Sequence, residues 1–301
     1  MNHKWREWVF PLLTRIAYLL SKMGFRKVPF VRSAWKRLHS YSIPDYPVLL
    51  NTEGIKLLAN PSKHGPGWIL LAEGTYEPFT TALFKKLLTR KGMVFVDLGA
   101  SVGYFSMIAA KLVGNSGRVY AFEPEPSSFD LLVKNAKLNG FENIVPVPKA
   151  VSNCDSVTNI FIPPRETPPS ESPHVYQIFS AHDGYESVSV QTVSLDSFFK
   201  DKNYSVDFIK MDIEGAEVLA LQGMANVIEK NRGLKIITEF NPEYLKRAGA
   251  SPLGYLATLM EYGFRLYRIN EKQKTLDPIL DAKAEVERLK GLDYENILAE
   301  R

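Results

Sequence analysis

Cysteine is almost missing: one residue, Cys154, occurs in a chain of 301. No intramolecular disulfide can form, the fold has to rest on its apolar core, and the composition suits a reducing cytoplasm. Long hydrophobic runs are missing too. The longest near the N-terminus, residues 9–20, is broken by Pro11, Thr14 and Arg15, whereas about 20 apolar residues are needed to cross a bilayer. A secretory leader requires a cleaner apolar stretch and a small-residue cleavage site, for which Ser21-Lys22-Met23 is a poor match. Internal repeats are absent. What is present, 45% hydrophobic and 23% charged residues, lies close to the averages of folded globular proteins and argues against wholesale disorder or a fibrous architecture.

The net charge of +4 is small but uneven. Residues 1–40 hold nine Lys and Arg against one acid, Glu7, an excess of eight, so the rest of the chain is net negative by four. A nucleic-acid enzyme would carry basic residues around its catalytic face, so no nucleic acid is expected as a partner. A basic N-terminal segment interleaved with Trp5, Trp8, Phe10 and Tyr18 is either an amphipathic helix packed on its own domain or a surface for anionic lipid or an acidic partner. The expected organisation is a basic amphipathic extension over residues 1–45, one α/β domain over 46–281 and a charged C-terminal helix over 282–301. The expected setting is the cytoplasm, with peripheral membrane contact through residues 1–40.

Residues 54–71 mix short apolar runs with Asn60, Pro61, Gly65, Pro66 and Gly67, which reads as strands and turns at a domain edge. Phe79, Leu83, Phe84 and Leu87 recur at three- and four-residue steps and predict a helix over 77–88, closed by Arg90, Lys91 and Gly92. From Met93 strands and helices alternate. Strands are expected at 93–97, 118–123, 144–150, 208–212 and 235–239, and helices at 104–112, 127–139, 195–199, 216–221 and 252–262. The nearly continuous apolar character of 94–96 and 208–211 marks strands buried on both faces, hence a doubly wound, mostly parallel α/β sheet of Rossmann-like kind. Five prolines between Pro163 and Pro173 make residues 163–186 an irregular loop insertion. Its flanks, 157–162 and 188–193, alternate like an antiparallel pair. A hairpin there would carry the loop over the C-terminal edge of the sheet, where doubly wound folds bind ligands.

The strongest local signal is Val96-Asp97-Leu98-Gly99-Ala100-Ser101-Val102-Gly103-Tyr104. An apolar strand ends in a carboxylate, and two glycines let the backbone turn tightly and approach a ligand before a helix begins. The glycines read G-x-x-x-G, not the G-x-G-x-x-G of dinucleotide turns, and no P-loop Lys-Ser or Lys-Thr follows. A second carboxylate, Glu123, lies 20 residues beyond Gly103 at the end of the next strand. An acid there accepts hydrogen bonds from ribose hydroxyls, which implies adenosine. Asp97 suits a cationic amino group and would repel a pyrophosphate, favouring S-adenosyl-L-methionine over NAD.

Together with Ala121-Phe122-Glu123-Pro124-Glu125-Pro126, Asn139-Gly140, Lys149-Ala150-Val151-Ser152, Val193-Ser194-Leu195-Asp196 and Asp207-Phe208-Ile209-Lys210-Met211-Asp212-Ile213-Glu214-Gly215-Ala216-Glu217, this run resembles the FkbM-type methyltransferases. The resemblance implies a class I methyltransferase fold with a seven-stranded sheet, and methyl transfer from S-adenosyl-L-methionine, usually to an oxygen on a sugar or secondary metabolite. It also implies cofactor contacts at Glu77, Asp97, Gly99, Ala100, Ser101, Gly103, Tyr104, Glu123, Pro124, Ala150 and Val151. Tyr76-Glu77 matches the family's Tyr-Glu pair upstream of the first strand. Ser101 stands where members commonly have Asn, and Asn153 where many have Asp; both keep hydrogen-bonding capacity.

Methyl transfer is an in-line displacement, and a hydroxyl acceptor needs a base or a metal to take up its proton or developing charge. Asp212 ends the fourth strand and Glu214 follows it, so these two are the expected catalytic residues. Glu239 ends the fifth strand, with Asn241 just beyond. Asp212, Glu239 and Asn241 can hold Mg²⁺, or Asp212 can act as base directly. Glu214 and Glu217 equally fit a helix N-terminus favoured by the macrodipole. His174, Tyr176 and His182 lie in the Pro-rich insertion, within reach of a substrate. Lys210 interrupts an apolar strand, where a lysine is costly unless paired, with Asp212 or Glu239 as candidate partners. The expected function is O-methylation of a glycan, glycolipid or secondary metabolite. The alternatives are N-methylation by the same fold and a non-catalytic binding protein.

Overall fold

The computed structural model describes residues 16, 46–61, 65–162, 185–202, 205–290 and 294–301. The expectations for the basic extension and for the Pro-rich insertion with His174, Tyr176 and His182 fall outside these residues, apart from Ile16, Tyr185 and Glu186. Of the described residues, those up to Tyr76 form one compact unit and those from Glu77 onward a second.

In the first unit, β1 (Val48–Thr52) and β2 (Ile55–Ala59) make an antiparallel hairpin followed by α1 (Gly65–Glu73). Its two-residue turn, Glu53-Gly54, has φ of 50° and 71°, the left-handed pair that matches strand twist in a tight hairpin. The helix corrects the reading of 54–71 as strands and turns alone. Pro66 falls in the first helical turn, where its missing N–H would have had no partner in any case.

The second unit begins with α2 (Pro78–Leu87), β3 (Val94–Leu98), α3 (Tyr104–Val113), β4 (Arg118–Phe122), α4 (Pro126–Leu138) and β5 (Ile144–Val147). A small excursion follows, with β6 (Ala150–Val151), β7 (Ser156–Ile162), β8 (Glu186–Val193) and α5 (Leu195–Phe199). Then come β9 (Phe208–Met211), α6 (Glu217–Gln222), α7 (Ala225–Lys230), β10 (Lys235–Phe240), α8 (Pro242–Arg247) and α9 (Pro252–Glu261). The chain continues with β11 (Arg265–Asn270), β12 (Thr275–Ile279), α10 (Ala282–Arg288) and β13 (Glu295–Glu300). The large sheet runs β12-β11-β13-β10-β9-β3-β4-β5. From β5 to β10 every neighbour is parallel, and beyond β10 the pairings are antiparallel.

Every residue of β3 and β9 is buried, so both faces of the sheet centre are covered. The two faces differ. One carries Val96, Leu98, Ile209 and Met211 into the main apolar cluster. The other carries Phe95 and Phe208, which pack with Phe84 of α2 at 5.1 and 5.3 Å between ring centroids. Because side chains alternate along a strand, Asp97, Lys210 and Asp212 share this second, aromatic face.

Three expectations need correction. The sheet has eight strands, not seven, because β12 adds an edge. Its Pro278 lacks a ladder donor and is tolerated where one side is unpaired. Residues 144–150 do not form one strand. After Val147 the chain leaves the large sheet, and Ala150-Val151 pairs with β8 in a three-stranded sheet ordered β6-β8-β7. The hairpin of β7 and β8 is antiparallel, as the alternation predicts. Finally, only Ala282–Arg288 of the expected C-terminal helix is helical. The apolar run Ile297-Leu298-Ala299 is buried and inserts as a strand between β10 and β11. Arg288 ties the helix to that strand through Glu285 and Glu295.

Candidate active site

The glycine turn after β3 is built by backbone contact. Gly99, Ser101 and Gly103 have φ of 79°, 50° and 91°, a left-handed region open mainly to glycine. A Cβ on Gly99 would stand 1.9 Å from the Asp212 carbonyl oxygen. The turn therefore lies directly on the chain leaving β9, and only glycine permits that approach. The Gly99 and Ala100 N–H groups both donate to the Phe122 carbonyl, at 3.0 and 2.9 Å, which fixes the turn against the end of β4. Asn135 of α4 donates to the Val102 carbonyl at 2.8 Å, a brace with no signature in the sequence.

Glu123 follows β4 and is 3% exposed. Its Oε2 accepts from the Ser101 N–H at 2.7 Å and its Oε1 from the Glu125 N–H at 2.8 Å. Burial pushes its carboxyl up to about 8, against the pull of those two bonds. Each oxygen keeps a second lone pair, so the held carboxyl can still accept from two adjacent hydroxyls. Pro124, half-buried, follows it, and Glu125 caps α4 through the Ser127 and Ser128 N–H groups. Ala100 and Tyr104 are buried beside the turn, and the Tyr104 hydroxyl lies 3.3 Å from that of Thr81.

Three of the expected cofactor contacts are also engaged by the protein itself. Asp97 is not a free acid at the turn. It is 1% exposed, and its Oδ2 accepts from the Ser106 hydroxyl at 2.6 Å. Burial raises its carboxyl to about 6, with Lys210 and Ser106 opposing. Ala150 and Val151 are packing residues of the small sheet: Ala150 clusters with Ile160 and Val190, and Val151 joins the main core with Val147 and Val193.

Beside Asp97 in register stands Lys210, 3% exposed. Its Nζ lies 2.9 Å from Asp212 Oδ2 and 4.7 Å from the Phe105 ring centroid. Of the two partners considered for it, the structure selects Asp212. Burial alone would depress the ammonium, but Asp212, Asp97 and Glu77 outweigh it and hold it above its ordinary value. Burial likewise pushes Asp212 up, and here Lys210 and a hydrogen bond from Glu239 prevail and hold it below the usual range. Burial and the neighbouring carboxylates push Glu214 and Glu239 well above theirs.

Asp212, Glu214 and Glu239 each bring a carboxylate oxygen within 4.8 Å of the others. Glu214 has φ of 58°, and its Oε2 is buried without a hydrogen-bond partner. Glu217, by contrast, reaches back to the Ile213 and Gly215 N–H groups at 3.2 and 2.9 Å. The helix-terminus reading therefore holds for Glu217 and not for Glu214. Asn241 does not join the acids as expected. Its Oδ1 caps α8, accepting from the Glu243 and Tyr244 N–H groups, because an Asn before Pro at a helix start is a favoured cap.

Glu77 occupies the N-cap of α2 in a left-handed conformation, φ 43°, without capping it. Glu271 caps instead, accepting from the Phe79 and Thr80 N–H groups at 3.0 and 2.6 Å. Glu77 Oε2 is buried without a hydrogen-bond partner, and burial raises the carboxyl to about 7, with Lys210 opposing. Asp212, Asp97, Glu77 and Glu214 thus interact with Lys210 beside the glycine turn, an environment that disfavours an anionic ligand.

A model of the methyltransferase FkbM domain matches residues 97–266. Among curated proteins, the probable cobalt-precorrin-6B C(15)-methyltransferase (decarboxylating) of Saccharolobus solfataricus is 36% identical over 69 residues, 23% of this chain and 35% of that protein. The protein-L-isoaspartate O-methyltransferase of Methanococcoides burtonii is 32% identical over 71 residues, again 23% of this chain and 35% of the relative. The chain therefore spans about a third of the length of these relatives. Among solved structures, a methyltransferase FkbM from Methylobacillus flagellatus KT aligns with a TM-score of 0.42 at 16% identity, over 70% of this chain and 44% of that one.

Proposed function

The chain belongs to the FkbM family of S-adenosyl-L-methionine-dependent methyltransferases, and from that premise we propose that it methylates a hydroxyl oxygen of a glycan, a glycolipid or a secondary metabolite. The supporting observation is the contact between the glycine turn and the Asp212 backbone, which sets the acid cluster beside the cofactor turn. Glu123 accepts the ribose hydroxyls, and the glycines admit the cofactor to the backbone. The surrounding acids favour a sulfonium over a pyrophosphate.

In the reaction the acceptor oxygen attacks the methyl carbon in line, the sulfur–methyl bond breaks, and sulfur leaves as a neutral thioether. The hydroxyl proton passes to a carboxyl at the ends of β9 and β10. Asp212, ionised beside Lys210, orients the acceptor. Glu214 and Glu239 lie within reach of Asp212, and whichever of them is ionised when the acceptor is bound takes the proton, its raised carboxyl making it the stronger base. Mg²⁺ is the proposed second cofactor. The basic residues 1–40 bring the enzyme to an anionic lipid surface, and nucleic acid is not a partner in this reading.

Calorimetric titration with S-adenosyl-L-methionine, S-adenosylhomocysteine and NAD tests the cofactor assignment. Both adenosyl ligands bind, NAD does not, and Glu123→Ala weakens adenosyl binding by about 10- to 100-fold, the worth of hydrogen bonds to a charged group. Failure of both adenosyl ligands to bind overturns the reading.

A further inference from the structure

Two oxygens bound to one ion lie at most twice the metal–oxygen distance apart, about 4.2 Å for Mg²⁺ and about 4.6–5.2 Å for Ca²⁺. The carboxylate oxygens of Asp212, Glu214 and Glu239 lie within 4.8 Å of one another, the spacing that one hard cation bridges. Asp212 and Glu214 lie in the loop that leaves β9 and Glu239 lies on β10. The Asp212 N–H bond to the Leu98 carbonyl holds the start of that loop on the sheet.

Their charge is not balanced by the protein. Lys210 is bonded to Asp212. No donor among the described residues reaches the buried Glu214 Oε2. Glu239 is 8% exposed, and the hydrogen bond it shares with the Asp212 carboxylate needs a proton on one of the two groups. A buried carboxylate without a donor is costly. When a metal displaces the protons of Glu214 and Glu239, three carboxylates against one ammonium leave two negative charges, which a dication neutralises.

We propose that Asp212, Glu214 and Glu239 bind one divalent cation with oxygen preference, for which Mn²⁺ serves as the probe. The ligand set differs from the one the sequence suggests, since Glu214 replaces Asn241, whose acceptor oxygen is spent on α8. Binding of the ion does not depend on the methyltransferase reading; only its role does. Under that reading the ion would lower the pKa of an acceptor hydroxyl placed at the cluster.

The test is calorimetric titration of the full chain with MnCl2, without cofactor, for the wild type, Glu214→Gln and Glu239→Gln. One Mn²⁺ per chain is expected in the wild type, with binding at least about tenfold weaker in each variant as ligand charge is lost. Folding is checked in the same samples by the apo melting temperature, and S-adenosyl-L-methionine binding is measured on the wild type. The melting temperature should hold or rise in the variants, because each removes repulsion within the cluster. Absence of Mn²⁺ binding to the wild type, or undiminished binding in both folded variants, overturns the cation site. If S-adenosyl-L-methionine binds while Mn²⁺ does not, the cation site alone fails. If Mn²⁺ binds while no adenosyl ligand does, the methyltransferase reading alone fails.

Discussion

Gly99→Ala and Gly103→Ala change two glycines of one turn, both at positive φ, and the structure assigns them different costs. The shared part is the left-handed conformation, about 1–2 kcal/mol for a residue with a Cβ. At Gly103 the new methyl meets Leu132 Cδ1 at 2.6 Å and Met107 Cε at 2.9 Å. Both are ends of side chains that can rotate away, adding about 1 kcal/mol. At Gly99 the methyl meets the Asp212 carbonyl oxygen at 1.9 Å, which is backbone and cannot rotate away. Relief requires the turn and the exit of β9 to part by more than about 1 Å, which strains the Asp212 N–H bond to the Leu98 carbonyl, now 3.0 Å. Overpacking of about 1–3 kcal/mol and a weakened buried hydrogen bond of about 1 kcal/mol then add to the conformational cost. Gly99→Ala should therefore lose about 2 kcal/mol more than Gly103→Ala, read as the difference in urea midpoints at one pH. It should also abolish S-adenosyl-L-methionine binding, whereas Gly103→Ala retains it within about tenfold. Equal midpoints, or Gly99→Ala binding the cofactor like the wild type, would refute the tight contact between turn and strand.

Burial raises Glu123, Glu77 and Asp97 to about 8, 7 and 6, so the folded chain holds these protons more tightly than the unfolded one. Their stabilisation is complete below about pH 4 and is lost as pH rises through 6 to 8. The apo protein should accordingly melt lower at pH 8.5 than at pH 6, and Glu123→Gln, which keeps only one acceptor for the Ser101 and Glu125 N–H groups, should lose less stability than the wild type over that range. Stability that climbs from pH 6 to 8.5 would contradict the assignment. Lys210→Met strands Asp212 and Asp97 without their cation and should cost about 3–5 kcal/mol at pH 8. The loss should shrink at pH 5.5 as carboxylates protonate, and equal losses at both values would count against the pairing. Deleting residues 1–40 should end co-sedimentation with vesicles containing anionic lipid; pelleting that persists unchanged removes the proposed membrane contact.

The parallel half of the sheet was legible because its strands are apolar throughout and end at punctuation, Asp97 before a glycine turn and Glu123 before Pro124. The antiparallel half was not. Arg265 to Asn270 alternates charge with apolar residues on a peripheral strand, and the partner of β10 lies about sixty residues along the chain, a distance over which no local pattern speaks. At the site, sequence marked the acids but not their states. Glu214 and Glu217 are three residues apart on the same loop and helix start, yet Glu217 accepts from backbone N–H groups and Glu214 leaves one buried oxygen without a partner. Asn241 offers the same oxygen to a metal or to a helix, and only the position of α8 decides between them. Asp97 read as an acid open to a cationic ligand because it precedes the glycine turn, while strand alternation turns it onto the aromatic face.

The insertion of β13 between β10 and β11 bears on how the chain is made. During synthesis β10 and β11 emerge well before the strand that joins them, and until Glu295 to Glu300 arrive, each presents an open edge. Glu239, on β10, is then bordered on one side only. The acid cluster can reach its final form only after these late residues have been released from the ribosome and have threaded into the gap. The open slot in the nascent sheet is the place where a chaperone or a stray strand would compete until residues 295–300 fill it.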